Sequence, residues 1–426
     1  MGRRRAALED LDLRPACHNR AVIPLGRIAI QGFKSLRDAA FDLGQVNVFV
    51  GANGSGKSNA LEAIGVLGAA VFRAVEPEAL RYRGVRPGLP ALYKSSFRSG
   101  IRRSITLECS AGTAHYRVGL DNPVSSSSEP WKILTETLTC ANRHVLTRSP
   151  RACWQYDEAG ERSEKALPSA TETFAKTALQ RHPTARDAQE LVQALIDYAI
   201  YSPTTDVLRG LKDDVSRPPL GLSGSGLALA IKDLLDKERA RLGPYELDDI
   251  WELIDWADNM AVVPAQHAGL SPAVAVGPTT LRFRDRHMGG RRNTLSAYDA
   301  SEGALYVLFL LALAAHPRAP RTFAVDNFDH ALHPRLAARL MRAVSVQLLG
   351  DGERQMLLTT HNPLVLDGLD LRDPRVRLFA VERQADGSSA VRRVELGPAL
   401  LEQVESGLSL SRLWVMGRLG GVPADL

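Results

Sequence analysis

The chain has 426 residues, of which 45% are hydrophobic and 24% are charged, and its formal net charge is +5. This composition is that of an ordinary globular protein with a sizeable core, and the length fits about three domains or one large α/β fold with insertions. The basic excess is small and scattered, and lysine is absent after Lys237, which favours a bias in genomic base composition over a dedicated nucleic-acid surface.

The sequence also argues against three further classes: proteins with disulfides or a cysteine metal centre, membrane proteins and secreted proteins. The cysteines lie far apart without a CxxC pair, which predicts unpaired thiols rather than disulfides or a metal centre; they are Cys17, Cys109, Cys140 and Cys153. The longest apolar run, residues 304–315, is shorter than the roughly 18 residues that span a bilayer. Acidic Glu9 and Asp10 stand where a signal peptide has its apolar segment. We therefore expect a cytoplasmic protein without a membrane segment.

The first predicted elements are three short strands. Residues 1–20 are charged and lack periodicity, so we expect a flexible tail there. Residues 26–36 alternate as a strand that ends in a turn, a second strand lies at about 39–43, and an apolar run follows at 46–50. Strands spaced this closely predict a β-meander that leads into the next motif.

Residues 51–58 fill the pattern GxxxxGK[ST] at every fixed position, between the strand at 46–50 and a helix-compatible stretch at 59–64. In such a loop, glycines let backbone N–H groups surround phosphate oxygens, and the following helix N-terminus favours negative charge. Lys57 would neutralise the outer phosphates, and Ser58 would ligate Mg²⁺. The sequence therefore predicts a site for ATP and Mg²⁺ formed by Gly51, Asn53, Gly54, Ser55, Gly56, Lys57, Ser58 and Asn59.

The middle of the chain changes from strand to helix periodicity. After a Pro- and Gly-rich loop at 81–92, alternation predicts a hairpin of strands at 103–109 and 114–120, and more strands at 133–138 and 152–156. From about 169 to 260, apolar stripes recur at helical spacing; one stripe is Leu191, Leu195, Ile196 and Ala199, and another is Leu247, Ile250, Trp251, Leu253 and Ile254. No heptad pattern persists, so we expect a packed helical insertion rather than a coiled coil.

The last part of the chain alternates strands and helices. After a strand at 281–284, a helix is predicted at 304–315, and buried strands at 322–326 and 356–360 end at Asp326 and just before His361. A hairpin near 385–387 and a closing helix follow. This order implies a mostly parallel sheet that binds its ligand at the carboxyl ends of its strands.

Several of these polar residues suit a phosphate site, although each also has a plainer explanation. Asp326 at a strand end could hold Mg²⁺ beside Ser58, or only cap a turn. Ser301 and Gly303 precede a helix, where an anion binds well but where serine is also a common N-cap. His361 could contact a terminal phosphate or simply satisfy a strand end.

Together these motifs resemble those of the ABC-type ATPase superfamily, in its soluble SMC-like and OLD-like branch. The resemblance covers residues 22–72 and 290–385. It implies an α/β fold, a P-loop ABC-type ATPase head with a β-meander subdomain and a helical insertion lobe. The implied divisions are a flexible tail at 1–20, a β-rich subdomain with the Walker A lobe at 21–165, the helical insertion at 166–262, and a final lobe at 263–426.

The resemblance also assigns roles to residues. Residues 51–58 correspond to Walker A and Asp326 to the Walker B aspartate, while residues 301–303 match the signature motif, which contacts the nucleotide of the opposite subunit. The family pattern therefore implies a homodimer around two ATP molecules. His333 takes the D-loop position, His361 that of the switch histidine, and Gln180, or else Gln266, that of the metal-linked glutamine.

One position departs from the family pattern. The family has a glutamate after the Walker B aspartate to polarise the attacking water, whereas this chain has Asn327. An amide cannot accept a proton, and general-base assistance is typically worth about 10²–10⁴ in rate. We therefore expect slow hydrolysis that depends on another group such as Asp329, His333 or His361.

Three functional hypotheses follow. The first is an ATPase whose closure controls an effector acting in trans, as in anti-phage systems such as Septu, whose partner is an HNH nuclease. The second is a DNA-binding repair ATPase similar to RecF or to a short SMC-like protein, with a basic patch of Arg282, Arg284, Arg286, Arg291 and Arg292. The third is a scaffold that ATP latches without hydrolysis.

Overall fold

The structure is a computed structural model. It describes residues 25–421 except 99, 124–128, 167–168, 213, 216, 271–273, 275–276 and 291. The expected tail at 1–20, Cys17 and Arg291 lie outside the described residues. Cys109, Cys140 and Cys153 are free thiols, as predicted. None of the described helices combines the length and apolar character that crossing a membrane requires.

The first part of the chain is rich in strands. Its elements are β1 (Arg27–Phe33), β2 (Leu36–Asp42), β3 (Val46–Val50), α1 (Lys57–Phe72), α2 (Pro77–Arg81), β4 (Ser96–Phe97), β5 (Gly100–Ile101), β6 (Ile105–Ala111), β7 (Ala114–Asp121), β8 (Lys132–Cys140), β9 (Arg143–Arg148), β10 (Cys153–Tyr156), β11 (Arg162–Lys165), α3 (Ala175–Leu179) and α4 (Arg186–Asp197).

The second part alternates more evenly. Its elements are β12 (Ala199–Tyr201), α5 (Thr205–Leu208), α6 (Leu227–Leu234), β13 (Leu235–Asp236), β14 (Arg241–Leu242), β15 (Tyr245–Glu246), α7 (Leu247–Leu253), β16 (Ala257–Pro264), β17 (Thr279–Asp285), β18 (Thr294–Ser296), α8 (Glu302–Ala315), β19 (Thr322–Val325), α9 (Pro334–Asp351), β20 (Gln355–Thr360), β21 (Val376–Arg383), β22 (Ser389–Val394), α10 (Pro398–Glu405) and α11 (Leu410–Val415).

A six-stranded sheet in the order β12-β19-β20-β3-β21-β22 forms the centre of the fold. All its strand pairs are parallel except the last, β21 with β22. Its apolar residues are buried on both faces, as parallel sheets require. One face packs with α8 and α9, and the other with α1 and α4. This sheet confirms the predicted α/β class.

An eight-stranded antiparallel sheet in the order β11-β10-β9-β8-β7-β6-β1-β2 packs beside it. Strands β6 to β11 follow one another as a meander, joined first by a tight turn at Gly112, whose φ is 54°. The first three strands of the chain, however, do not form one sheet. β1 pairs with β2, whereas β3 leaves for the parallel sheet, and Phe41 of β2 packs on Phe49 of β3 across the junction.

The region predicted to be helical also contains strands. The stripe that included Ala199 was extended too far, because α4 ends at Asp197 and β12 begins at Ala199 as the edge strand of the parallel sheet. β16 likewise starts before the expected end of the helical region, and β13 to β15 form a small sheet. A short apolar run buried on both sides gives no reliable helical period. The division into domains stays a prediction.

Candidate functional site

The phosphate-loop motif lies between β3 and α1, as its pattern predicts. Lys57 is 7% exposed, and its Nζ donates hydrogen bonds to the carbonyl oxygens of Gly51 and Ala52 at 2.8 and 2.9 Å. Burial lowers the pKa of Lys57, and the nearby carboxylates of Asp326 and Asp329 oppose that shift. The loop therefore curls around an ammonium group that has two acids in its vicinity.

Two glycines of this loop have no room for a side chain. Gly56 has a φ of 107°, and a Cβ at Gly51 would lie 2.3 Å from the carbonyl oxygen of Val381. The loop is braced by hydroxyls, because Ser35 Oγ accepts from Asn59 Nδ2 at 2.8 Å and from Ser389 Oγ at 2.7 Å. Ser55 is buried at the turn, and Asn53 and Gly54 are exposed at its tip.

The strand ends bring the predicted metal ligands together. Asp326 Oδ1 accepts hydrogen bonds from Ser58 Oγ at 2.8 Å and from Thr359 Oγ1 at 2.6 Å. Thr359 Oγ1 in turn accepts from the Asn327 backbone N–H at 2.9 Å. In the part of the chain that the structure describes, no group of three or more His, Cys, Asp or Glu side chains could hold a metal. The Ser58–Asp326 pair brings together two oxygens of the kind that a hydrated cation binds.

A second acid lies beside the first. Asp329 is 9% exposed; its Oδ1 accepts from Thr360 Oγ1 at 2.7 Å, and its Oδ2 lies 3.3 Å from His361 Nε2. His361 is about half exposed, with a side-chain exposure of 54%. Asn327 is exposed and has a left-handed backbone with φ of 56°, a region that asparagine tolerates better than most residues. These three predicted residues therefore share one edge of the sheet.

The signature segment starts helix α8. Ser301 is its N-cap, and Ser301 Oγ accepts from Ala304 N at 3.3 Å and from the indole of Trp256 at 3.2 Å. A Cβ at Gly303 would lie 3.2 Å from the carbonyl oxygen of Ala331. Among the described residues, no hydrogen bond or ion pair joins Ser301 to the phosphate loop of its own chain.

A bonded cluster links the signature segment to the strand ends. Glu302 accepts a hydrogen bond from Thr205 Oγ1, just beyond β12, and lies 3.7 Å from His330 Nε2. His333 is the N-cap of α9, where its Nδ1 accepts from Arg335 N at 3.4 Å. The start of α8 is thus connected to the turn that carries Asn327.

The structure does not bring Gln180 to the metal ligands. Thr173, just before α3, donates to the carbonyl oxygen of Arg73 at 2.8 Å, so α3 lies at the C-terminal end of α1. Ser58 lies at the opposite end of that 16-residue helix, about 20 Å away at 1.5 Å per residue. Gln266 is exposed on the turn after β16.

The predicted basic patch is partly neutralised. Arg284 Nε lies 2.6 Å from Asp258 Oδ1, Arg286 donates to the carbonyl oxygen of Ala257, and Arg282 donates to that of His267 at 3.4 Å. The charge of Arg284 is therefore offset by Asp258, whereas the neutral carbonyl oxygens leave the charges of Arg286 and Arg282 in place.

Sequence reasoning missed a pocket next to the phosphate loop. It has a volume of about 370 Å³, and its lining includes Lys34, Ser35, Asn59, Arg86, Tyr93 and Phe97. Glu62 is buried beneath it, paired with Lys34 and, at 2.5 Å, with Arg86. Burial lowers the pKa of Lys34. These residues come from separate segments of the chain, including α1 and β4, and form no short motif, so no local signal could have identified them.

Two family models match the chain. A family model described as "AAA domain, putative AbiEii toxin, Type IV TA system" matches residues 119–367, and another described as "AAA domain" matches residues 27–189. No curated protein sequence gives a significant match.

Solved structures of SMC head domains are also similar. A Smc head domain with an extended coiled coil, bound to the C-terminal domain of ScpA and derived from Pyrococcus furiosus, is 14% identical with a TM-score of 0.48, covering 89% of this chain and 99% of its own. For the SmcHead bound to the C-winged helix domain of ScpA, the identity is 14%, the TM-score 0.47, and the coverage 88% and 99%. For the SMC head domain from Thermotoga maritima, these values are 14%, 0.35, and 87% and 99%.

Proposed function

Since the chain belongs to the AAA-domain family whose model matches residues 119–367, we propose that it is an ATPase of which two copies close around ATP and thereby control a separate effector. The observation that carries the proposal is the strand-end cluster. Asp326 receives hydrogen bonds from Ser58 of the phosphate loop and from Thr359 of the neighbouring strand, and its charge opposes the lowering of the Lys57 pKa by burial.

The residues present fit ATP with Mg²⁺. A serine hydroxyl and a carboxylate within 2.8 Å of each other are oxygen ligands of the kind that Mg²⁺ prefers. The close approaches at Gly51 and Gly56 support a loop shaped by its backbone for phosphate. The pocket lined by Tyr93 and Phe97 is large enough for part of a nucleoside.

The side chains at the site would have different roles in nucleotide binding and hydrolysis. When bound, Mg²⁺ supplies neutralisation of charge on the phosphates. Lys57 would exchange its two loop carbonyls for phosphate oxygens. Asp329 is bonded to Thr360 and lies next to His361, so it would orient the histidine, while Asn327 would hold a water by hydrogen bonds without accepting its proton. Slow hydrolysis follows from the presence of Asn327 where the family has a glutamate.

A second copy would complete the site. The N-terminus of α8 has an exposed serine, and in the described structure it is not bonded to its own phosphate loop. Free N–H groups and the dipole at the start of a 14-residue helix favour an anion. We therefore propose a homodimer in which Ser301 and Gly303 of one copy meet the terminal phosphate bound by the other.

Control of an effector is the furthest step of the proposal. The description of the matching family includes "putative AbiEii toxin, Type IV TA system", and this description supports a role in defence. We propose that closure switches a separate nuclease or toxin subunit during anti-phage defence.

The experiment is to measure the mass of the purified protein by light scattering with and without ATP and Mg²⁺. We expect the wild type to become a dimer with ATP and Mg²⁺, and Lys57→Ala to stay a monomer because it has lost the phosphate contact. Lys132→Ala, which changes an exposed lysine on β8, is the matched control and should dimerise. A mass that ignores ATP, or a dimer of Lys57→Ala, would contradict the proposal.

The two other hypotheses predict different results. A DNA-binding ATPase should bind duplex DNA with a strong salt dependence, although the ion pair of Arg284 with Asp258 weakens that expectation. A latched scaffold should dimerise with ATP but show a turnover no higher than that of Lys57→Ala.

A further inference from the structure

The hydroxyl of Ser301 is held in an unusual way for an N-cap serine. An N-cap oxygen ordinarily accepts one backbone N–H, here that of Ala304 at 3.3 Å. Ser301 Oγ accepts a second hydrogen bond, from Nε1 of Trp256 at 3.2 Å. A hydroxyl has two acceptor lone pairs and one proton. Because both lone pairs are engaged, the proton must point away from both donors.

That proton has no acceptor within the chain as far as the structure describes it. Ser301 is exposed, so its O–H is directed towards solvent at the start of α8. A serine hydroxyl that accepts a single N–H could point its proton in several directions. The second N–H donor occupies one of these directions. The hydroxyl is therefore arranged in advance as a hydrogen-bond donor.

The indole ring of Trp256, which donates this second hydrogen bond, is itself held in position by its neighbours. Trp256 precedes β16, and its ring packs against Phe283 of β17, with the ring centroids 5.5 Å apart. Phe283 is 1% exposed, and the carbonyl oxygen of Trp256 accepts from Arg286 N at 3.0 Å. The ring and the backbone of Trp256 are thus both held by β17 and the turn that follows it.

We propose that Trp256 is a positioning residue, which orients the Ser301 hydroxyl to donate to a phosphate oxygen of the nucleotide held by a second copy of this chain. The inference rests on the proposed nucleotide-driven dimer. Its physical content is preorganisation: the donor direction is set before the phosphate arrives, so less freedom is lost on closure.

The test compares four single variants and one double variant for the dimer dissociation constant in ATP and Mg²⁺. Trp256→Phe keeps a ring against Phe283 but removes the N–H. Trp256→His places a ring N–H at the corresponding atom and should restore part of the effect. Ser301→Ala removes the acceptor, and Trp251→Phe removes a partly buried indole from α7 as the matched control. Thermal unfolding of each variant checks folding, and binding of a fluorescent ATP analogue to the dilute monomer checks the phosphate loop.

We expect Trp256→Phe to weaken the dimer roughly four-fold, because without the indole N–H the Ser301 proton has about two staggered orientations instead of one at each of the two sites. Trp256→His should lie between this variant and the wild type, and Trp251→Phe and all monomer affinities should be unchanged. Adding Trp256→Phe to Ser301→Ala should cost nothing more, because the acceptor is already gone.

The possible outcomes distinguish the role of Trp256 from the proposed nucleotide-driven dimer. A wild-type dimer that Trp256→Phe leaves unchanged, or equal and additive losses in the double variant, would overturn the role of Trp256 while leaving the proposed function intact. A wild type that does not dimerise with ATP and Mg²⁺ would overturn both.

Discussion

The two large sheets each hold a buried or half-buried acid, and the acids are bonded differently. Glu136, on β8 of the antiparallel sheet, accepts from the backbone N–H groups of Phe174 and Ala175 and from the hydroxyl of Tyr116. Asp326, at the end of β19 in the parallel sheet, accepts from the hydroxyls of Ser58 and Thr359. Backbone N–H groups cannot bind a cation, whereas a hydroxyl oxygen can turn to become a ligand.

The difference in bonding follows from strand direction. Parallel strands place their carboxyl ends at one edge, so β3, β19 and β20 deliver their polar ends to the same place. Antiparallel strands end alternately at opposite edges, and Glu136 lies within its strand at 0% exposure. Asp326 is therefore placed to serve the proposed nucleotide site, whereas Glu136 has a structural role.

The largest expected effect tests the first half of this comparison. Asp326→Asn keeps an oxygen for both hydroxyl protons but removes the charge that would hold the cation. We expect hydrolysis to fall about 10³-fold, because stabilisation by a bound metal is worth several kcal/mol. Turnover of ATP under saturating Mg²⁺ measures this. Glu136→Gln, the corresponding change in the other sheet, should leave turnover unchanged, and an equal loss in both variants would break the comparison.

The parts that the sequence predicted well depend on short contiguous patterns. The phosphate loop is one such pattern, and the buried runs of β3, β19 and β20 are four to six residues each. Because these strands end in polar residues, the meeting of Ser58 with Asp326 was also predictable. The role of Thr359 was not, since it depends on a neighbour 33 residues away in the chain.

The features that the sequence did not predict correctly are determined by tertiary contacts rather than by local sequence. β12 has three residues, too few to interrupt a helical stripe, and only its pairing with β19 makes it a strand. Gln180 was chosen for its residue type, but the packing of α3 places it at the wrong end of α1 for Ser58. Trp256 and Ser301 are 45 residues apart and have no spacing that a motif could record.

The second prediction tests the structural acid. Burial outweighs the hydrogen bonds that Glu136 accepts and raises its pKa from 4.5 to about 7. The folded protein therefore binds this proton more tightly than the unfolded chain does. The resulting stability is full below about pH 4.5 and is lost as the pH rises through 7, a change of about 3 kcal/mol.

Urea unfolding between pH 4.5 and pH 8 measures this change. The amide of Glu136→Gln does not ionise, so its free energy of unfolding should not show the loss, and the variant should gain about 3 kcal/mol on the wild type over this range. Glu164→Gln, an exposed position on β11, is the control and should follow the wild type. If the pH profiles of the wild type and Glu136→Gln ran parallel, Glu136 would not hold its proton as inferred.

The smallest expected effect concerns Asn327, the departure from the family pattern at the edge of the parallel sheet. Asn327→Glu supplies a carboxylate that could accept a proton from water, a contribution typically worth about 10²–10⁴ in rate. Its φ of 56° opposes the gain, because a longer side chain in the left-handed region costs about 1–2 kcal/mol. We therefore expect turnover to rise only about ten-fold, at some cost in melting temperature.

Asn327→Gln is the matched control for this last change, since it has the same length and the same backbone cost but no base. The rate ratio of Asn327→Glu to Asn327→Gln isolates the carboxylate, and the melting temperatures of the two should agree. If that ratio is one, the amide does not limit hydrolysis. The buried Asp329 beside His361 would then already supply what the missing glutamate provides elsewhere, and the parallel sheet would hold two working acids rather than one.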